Sequence, residues 1–262
     1  MSKKWIKSII IVAILSILVV ASVVGHGFRK CVDLIVKVDY DSASVFITPE
    51  EVKVHLIKTF GNPVGQRLNQ LNVQSIENLL QLNPFIAEAE ASVELSGVLN
   101  VEIKQKTPIL RVQNKNGQQY YLSEEGLMMP ISEHGIERTP VASGEIYDYY
   151  SSIRNLTQED SPLEDSLVKR STLFRLWYLA VKIKNDPFMA AQTDQIYVNT
   201  NKEFEIVPRV GGQLIIIGNI DQLEKKFTKL KALYSESFAQ VGWNKYAIIN
   251  LKFKNQVVCT KK

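Results

Sequence analysis

The most apolar part of the chain is its N-terminal stretch. Ile9 to Val24 carries no charged side chain. Apolar residues favour membrane insertion, at about −0.3 to −0.6 kcal/mol for each Ile, Leu or Val. About 20 helical residues span the hydrocarbon layer, so we predict a transmembrane anchor over residues 6–27, after a cytoplasmic tail of residues 1–5. The predicted anchor residues are Ile9, Ile10, Ile11, Val12, Ile14, Leu15, Ile17, Leu18, Val19, Val20, Val23 and Val24.

Flanking charges orient this predicted anchor. Three lysines precede the apolar run and two basic residues follow it, and this small excess favours an N-terminus inside the cell and exported domains outside. A cleavable signal peptide with a cut after Gly25 is the alternative. The apolar run is longer than most signal cores and lacks a clear small-residue cleavage site.

After the predicted anchor, the pattern alternates between strand and helix periods. Residues 32–41 alternate apolar and polar positions, which predicts a strand. Thr48 and Glu51 form a capping box around Pro49, and Gly61 ends the helix that they begin. The predicted buried stripe of this helix is Val52, Leu56 and Phe60, with Ile57 alongside.

A second helix and two alternating strands complete the first exported domain. The helix is predicted from the cap Asn72 to Asn83, just before Pro84. Residues 87–95 and 99–104 alternate apolar and polar side chains around a Ser96-Gly97 turn, which predicts a hairpin. The order strand, helix, helix, strand, strand over residues 32–106 predicts two helices on one face of a three-stranded sheet.

Residues 107–262 have the pattern of short strands separated by turns and helices. Asn116-Gly117 and Glu125-Gly126 predict turns between the first three strands. One helix is predicted near residues 167–183 and another from the cap Asp221. Further strands are predicted at residues 139–146, 195–199, 202–210 and 213–218. We predict a mostly antiparallel β domain with helices, and an α+β fold for the chain.

The chain ends on a long alternating run, YAIINLKFKNQVVC, at residues 246–259. Its odd positions are mainly apolar and its even positions mainly Asn, Lys or Gln, which predicts one strand with a core face and a solvent face. An uncovered terminal strand exposes unpaired backbone N–H and C=O groups. We therefore expect this edge to accept another polypeptide.

Composition and charge exclude some functions. The chain is 45% apolar and 22% charged, as expected of a globular protein. A net charge of +4 is too small for the dense basic patch of a nucleic-acid reader, so we predict no nucleic-acid partner. Cys31 and Cys259 lie near opposite ends of the sequence, and we expect them to be unpaired.

No pattern indicates catalysis, a cofactor or a metal. The three histidines, His26, His55 and His134, have no spacing typical of metal ligands. The Gly211-Gly212 pair lacks the Lys and Ser/Thr that follow the glycines of a phosphate loop, and no serine lies in a G-x-S-x-G elbow. We predict that the protein is not an enzyme.

The order of elements resembles a known family. A β-α-α-β-β unit directly outside a single span resembles the polypeptide-transport-associated (POTRA) domain. The junction VEIKQKTPILRV is similar to the join between the POTRA and β domains of the FtsQ/DivIB family of bacterial cell-division proteins. IIIGNIDQLEKKFTKLKALY and IINLKFKNQVVC are similar to the family's strand–Gly–helix segment and closing strand. Asn250 departs from the family pattern, because many relatives carry an acid there.

This resemblance implies a division scaffold at the septum, held in the inner membrane with its domains outside. It implies that the last strand and the preceding helix receive a segment of an FtsB/DivIC-like protein, which pairs with an FtsL-like protein. The resemblance assigns backbone pairing to Asn255–Val258, an apolar anchor to Phe253 and an acid-facing charge to Lys252. The implied partner-binding residues are Lys252, Phe253, Asn255, Gln256, Val257, Val258 and Lys202.

Three alternatives remain open from the sequence. A POTRA-like unit also suggests a periplasmic chaperone, or a secretion or outer-membrane assembly factor. Phe253 shares its parity with Ile249 and Leu251, so it is equally consistent with a core position. Lys252 and Lys254 are also consistent with simple protection of an edge strand against aggregation.

Overall fold

The computed structural model describes residues 12–17, 29–41, 44–152, 155–157, 171–238, 242 and 245–262. The chain forms two compact units, which divide between Gln105 and Lys106. Each unit has its own hydrophobic core.

The predicted anchor falls mostly outside the described residues. This holds for Ile9, Ile10, Ile11, Leu18, Val19, Val20, Val23 and Val24. Residues 12–17 are helical, and the side chains of Val12, Ile14, Leu15 and Ile17 are more than half exposed. Among the described residues, no helix has the length and apolar character needed to cross a membrane. The anchor therefore stays a prediction.

The first unit has the predicted order of elements. Its three strands form a sheet in the order β1-β3-β2, in which β3 pairs parallel with β1 and antiparallel with β2. A short 3₁₀ turn, Leu68–Gln70, lies between the helices. The elements are β1 (Asp33–Asp39), α1 (Pro49–Phe60), α2 (Val73–Gln81), β2 (Ile86–Val93) and β3 (Val98–Gln105).

The start of α1 follows the predicted capping box. The Thr48 hydroxyl accepts the Glu51 N–H, and the Glu51 carboxylate accepts the Thr48 N–H at 2.8 Å. The prediction that Phe60 is buried is wrong, because its ring is 44% exposed. It lies in the last turn of α1 and lines an open groove with Pro63 instead of filling the core. Ile57, beside this stripe, is 37% exposed.

The second unit is built on one nine-stranded sheet. Its order is β12-β11-β10-β9-β8-β7-β4-β5-β6, and five of the eight neighbouring pairs formed by described residues are antiparallel. The strands are β4 (Pro108–Gln113), β5 (Gln119–Ser123), β6 (Met128–Pro130), β7 (Val141–Gly144), β8 (Thr193–Val198), β9 (Phe204–Pro208), β10 (Leu214–Gly218), β11 (Tyr246–Asn250) and β12 (Val258–Lys261).

The described residues of this unit form three α-helices: α3 (Thr172–Lys184), α4 (Pro187–Gln192) and α5 (Leu223–Ala232). Leu176 of α3 and Phe227 of α5 join the core formed by the sheet. A π-helical turn, Leu233–Phe238, continues α5.

The helices of this unit begin at positions that differ from the predictions, because other residues occupy their N-cap positions. Ser171 caps α3 by accepting the N–H of Phe174, so the helix begins later than expected. Asp186 caps the unpredicted α4 in the same way. Asp221 does not cap α5, because its carboxylate accepts a hydrogen bond from the Asn219 side chain and Gln222 occupies the N-cap position.

Candidate partner-binding site

The C-terminus of the chain is a hairpin. β11 and β12 pair antiparallel, with Asn250 opposite Val258. Residues 251–257, which we call the terminal turn, join them. The prediction of one continuous strand over residues 246–259 is therefore wrong, and β12 occupies the outer side of β11.

The side chains of Asn250 and Lys229 help to hold the terminal turn in place. The Asn250 side-chain oxygen accepts the N–H of Lys252 at 3.0 Å, a local bond by which Asn often starts a turn. The Lys229 ammonium donates to the carbonyl oxygens of Phe253 at 2.6 Å and Leu251 at 3.3 Å. The alternating pattern conceals this turn, because its first residue, Leu251, and its last, Val257, both pack against the core.

The outward-facing backbone groups of β12 follow from the pairing of its neighbours. The Leu251 N–H donates to the carbonyl of Ile216, a residue of β10. Since successive residues of a strand face opposite sides, the N–H of Asn250 faces β12. The Lys262 N–H donates to the Lys245 carbonyl, so the even-numbered residues of β12 face β11.

Cys259 and Lys261 therefore direct their backbone N–H and C=O groups away from the sheet. No strand among the described residues pairs with this outer side of β12. The free edge is short, because β12 has only four residues.

The structure places the residues predicted for backbone pairing in or beside the terminal turn. Asn255, Gln256 and Val257 belong to the turn, and Val258 begins β12 with its backbone facing β11. These four residues do not form an outward-facing edge. Phe253 is 45% exposed, so its ring lies on the surface and not in the core.

The charge of Lys252 is already paired within the protein. Its ammonium lies 2.6 and 2.8 Å from the two carboxylate oxygens of Glu203. Its aliphatic stem crosses Gly218, where an added Cβ would lie 2.8 Å from the lysine Cγ. The role predicted for Lys252, facing an acid, is filled by an acid of its own chain.

Lys202 is also engaged internally. Its ammonium donates to the Glu145 carbonyl at 2.8 Å and lies 4.4 Å from the centre of the Tyr147 ring, a cation–π distance. Its backbone is left-handed, with φ of +59°, and its N–H donates to the Asn199 carbonyl. Lys202 therefore stabilises the turn between β8 and β9.

The strand register brings these residues to one end of the sheet. Gly218 at the end of β10 lies opposite Phe204 at the start of β9. The terminal turn follows the end of β11, which runs parallel to β10. Lys202, Lys252 and Phe253 are thus gathered at this end although they are distant in sequence.

A group of lysines lies beside the terminal turn, and among them only Lys252 and Lys254 were candidates from the sequence. They line an open groove of about 210 Å³ between the start of α5 and the turn. We call it the lysine groove, and its lysines are Lys225, Lys226, Lys229, Lys252 and Lys254. Phe253 and Asp221 also line it. The lysine-rich segment EKKFTKLK was the available signal, but a charge run more often marks a solvated helix face.

Lys226 is the most enclosed cation of this groove. It is 8% exposed, and its ammonium donates to the backbone carbonyl of Asn219 at 2.8 Å and to the side-chain oxygen of the same residue. Burial lowers its pKa below the ordinary value, because a desolvated ammonium is less stable than a hydrated one.

Other chemically active groups do not converge at this site. Among the described residues, no three His, Cys, Asp or Glu side chains are placed to hold a metal ion. Cys31 and Cys259 are free thiols, and burial raises the pKa of Cys259.

Comparison with known families covers both units. Residues 29–104 match the POTRA-like domain. Residues 107–260 match the family described as FtsQ/DivIB, C-terminal related. A search of curated proteins finds no match. Because the second match spans more than half of the 262 residues, the chain belongs to the FtsQ/DivIB family.

Proposed function

We propose that this protein is a scaffold of the bacterial divisome that pairs with an FtsB/DivIC-like protein along the outer side of β12. Membership of the FtsQ/DivIB family gives it a role in cell division, and proteins of this family are in general not enzymes. The FtsB/DivIC-like partner would bring with it an FtsL-like protein. The scaffold would thereby link single-span division proteins at the septum.

The observation that carries the proposal is the free backbone edge at Cys259 and Lys261. An extended peptide can add to such an edge through main-chain hydrogen bonds, while neighbouring surface features give selectivity. Phe253 and Val258 are 45% and 40% exposed beside this edge and supply apolar contacts. Lys261 on the edge also limits pairing with unrelated strands.

The N-terminal apolar run completes the proposal. Ile9 to Val24 is uncharged, and we propose that it anchors the protein in the inner membrane with both units outside the cytoplasm. The binding edge would then face the exported parts of other single-span proteins.

A proline at the edge tests the proposal. Cys259→Pro removes an N–H that points outward, and proline is tolerated at such edge positions. We expect the full-length variant to bind the DivIC-like protein of the same genome at least about tenfold more weakly, because a backbone bond is lost and the proline ring obstructs the approaching strand. Cys259→Val, which keeps the N–H, is the matched control.

A second variant tests the same edge if Cys259→Pro misfolds. Lys261→Pro removes the other outward N–H, at the last residue of β12, where little of the core depends on it. Thermal unfolding of each variant reports whether the β domain is intact. Folded proline variants that bind the partner with unchanged affinity would refute edge pairing, as would specific capture of secretion or outer-membrane assembly components in place of division proteins.

A further inference from the structure

Three segments of the first unit meet where the described chain enters it. The Arg29 carbonyl accepts the N–H of Leu68 at 2.9 Å, which ties the entering chain to the loop after α1. The Val32 N–H donates to the Gly97 carbonyl at 2.9 Å, which ties it to the turn between β2 and β3. We call this part of the unit the entry end, and it consists of residues 29–32, 60–68 and 94–97.

The entry end exposes large apolar side chains. Leu95, in the β2–β3 turn, is 76% exposed, and Val64, in the loop after α1, is also exposed. Val32 and Phe60 add two further exposed apolar side chains. Exposed apolar groups that are gathered at one place and bordered by polar residues typically mark a surface that contacts another molecule or a membrane.

Basic side chains accompany these apolar groups. Arg29, Lys30 and Arg67 are exposed, and the Arg29 guanidinium donates to the Leu95 carbonyl at 3.1 Å, so it is held beside the turn. Glu94 is the carboxylate of these three segments. The entry end therefore has an excess of positive charge.

The acids at this end are engaged within the unit. The Glu94 carboxylate accepts hydrogen bonds from the side chains of Ser96 and Asn100. Asp33, the residue after the first segment, accepts the N–H of Leu34 at 2.8 Å. Both carboxylates are thus stabilised by polar groups of their own unit, and the exposed cations determine how the end interacts with an anionic surface.

The proposed anchor brings the entry end close to the bilayer. The uncharged apolar run ends at Val24, five residues before Arg29. An extended chain of five residues spans at most about 18 Å. When the run spans the hydrocarbon layer, the entry end therefore lies at or near the lipid headgroups.

We propose that the entry end docks on anionic lipid headgroups, with Leu95 and Val64 in the interfacial layer and Lys30 and Arg67 facing lipid phosphates. The inference rests on the proposed function, because it requires the anchor. Burial of apolar side chains and attraction to anionic lipids act together in binding of this kind. Such docking fixes the orientation of the first unit on the membrane.

Two leucines of nearly equal exposure provide a matched pair of probe positions. Leu82 is 78% exposed and lies between α2 and β2. The first residue of β2, Ile86, pairs with Gln105 at the end of β3, whereas Leu95 follows the last residue of β2. Leu82 and Leu95 therefore lie at opposite ends of the sheet.

Fluorescent probes at these positions test the docking. Leu95→Cys and Leu82→Cys are labelled singly in the full-length protein, with Cys259→Val to remove the partly exposed native thiol, while Cys31 is buried. In vesicles of phosphatidylglycerol and phosphatidylcholine, a quencher attached to lipid should quench the Leu95 probe at least about twofold more than the Leu82 probe. Thermal unfolding reports whether each labelled protein is folded.

Charge reversal tests the role of the cations. Lys30→Glu should weaken quenching of the Leu95 probe, as should vesicles of phosphatidylcholine alone. Lys53→Glu makes the same change in net charge on the exposed face of α1 and should have no effect. Equal effects of the two substitutions would overturn the electrostatic contact with lipid.

A probe at Leu15, within the apolar run, separates this inference from the anchor. Strong quenching at Leu15 with equal quenching at Leu95 and Leu82 would overturn the docking and leave the anchor intact. No quenching at Leu15 would refute the anchor and the docking with it. A Leu95 probe that is shielded from an aqueous quencher only when the DivIC-like partner is added would assign this surface to a protein and overturn the inference.

Discussion

Lys252 and Glu203 form a two-pronged ion pair, with the lysine ammonium 2.6 and 2.8 Å from the two carboxylate oxygens. The pair ties the terminal turn to the turn between β8 and β9. It links two segments that are 49 residues apart in sequence. Lys252, for which the family resemblance implied a contact with the partner, thus has a structural role in its own chain.

We predict that removing this pair has only a small effect. Lys252→Met keeps the aliphatic stem over Gly218 and loses the charge. Since both side chains are partly exposed, unfolding free energy should fall by about 0–1 kcal/mol. A double-mutant cycle with Glu203→Gln, followed by urea denaturation, measures the coupling. A coupling energy clearly above about 1 kcal/mol would contradict this prediction.

Lys229 should matter more for stability than the exposed Lys225 of the same helix. Its ammonium donates to the carbonyl oxygens of Phe253 and Leu251, and bonds to charged donors are worth more than neutral ones. We expect Lys229→Met to cost about 1–3 kcal/mol of unfolding free energy and to speed amide exchange in the terminal turn. Lys225→Met, which removes an exposed lysine of the same helix, should change neither. Equal effects of the two substitutions would show that Lys229 does not stabilise the terminal turn.

Two glycines with left-handed backbones should respond differently to alanine. Gly144 has φ of +103°, and an added Cβ would lie 2.2 Å from the Val198 carbonyl oxygen. Gly117 has φ of +83° with open space around it. We predict a loss of about 2–4 kcal/mol for Gly144→Ala, from backbone strain plus this clash, and about 1 kcal/mol for Gly117→Ala. Chemical denaturation measures both losses. Similar values for the two variants would show that Gly144 does not lie this close to the Val198 carbonyl oxygen.

Acid should weaken the contact around Glu145. Hydrogen bonds from Lys115 and Tyr147 lower the pKa of Glu145 below its ordinary value of 4.5. Its stabilising effect is therefore complete above that value and is lost as the pH falls through the lower pKa of the folded state. Unfolding free energy measured from neutral to acid pH should fall less steeply in Glu145→Gln. Glu236→Gln, at an exposed carboxylate of the π-helical turn, is the control, and parallel curves for all three proteins would contradict the prediction.

Local sequence signals predicted the elements whose formation depends on nearby residues. The capping box of Thr48 and Glu51 marks the start of α1 because both of its bonds lie within four residues. The alternation around Gly97 similarly predicts the β2–β3 hairpin. These features need no knowledge of the rest of the fold.

The terminal hairpin depends on contacts that local patterns do not contain. Its two strands continue the same alternation of apolar and polar residues, so one long strand and a hairpin have the same pattern in the sequence. The turn is held by Lys229, which lies 24 residues before Phe253. Asn250 was the one local signal, through its bond to the N–H of Lys252.

The candidate site was predictable in location but not in detail. The resemblance directed attention to the C-terminal segment, where the free edge is found. It could not reveal that Glu203 neutralises Lys252, or that Lys225 joins Lys254 in one groove. Both facts follow from tertiary packing at the end of the sheet.

Amide hydrogen exchange at β12 tests the central claim most directly. In the free full-length protein, the N–H groups of Cys259 and Lys261 should exchange rapidly, while those of Val258 and Thr260 are protected by β11. Adding the DivIC-like partner should slow exchange at Cys259 and Lys261. Unchanged exchange at both, with the partner bound, would contradict strand pairing at this edge.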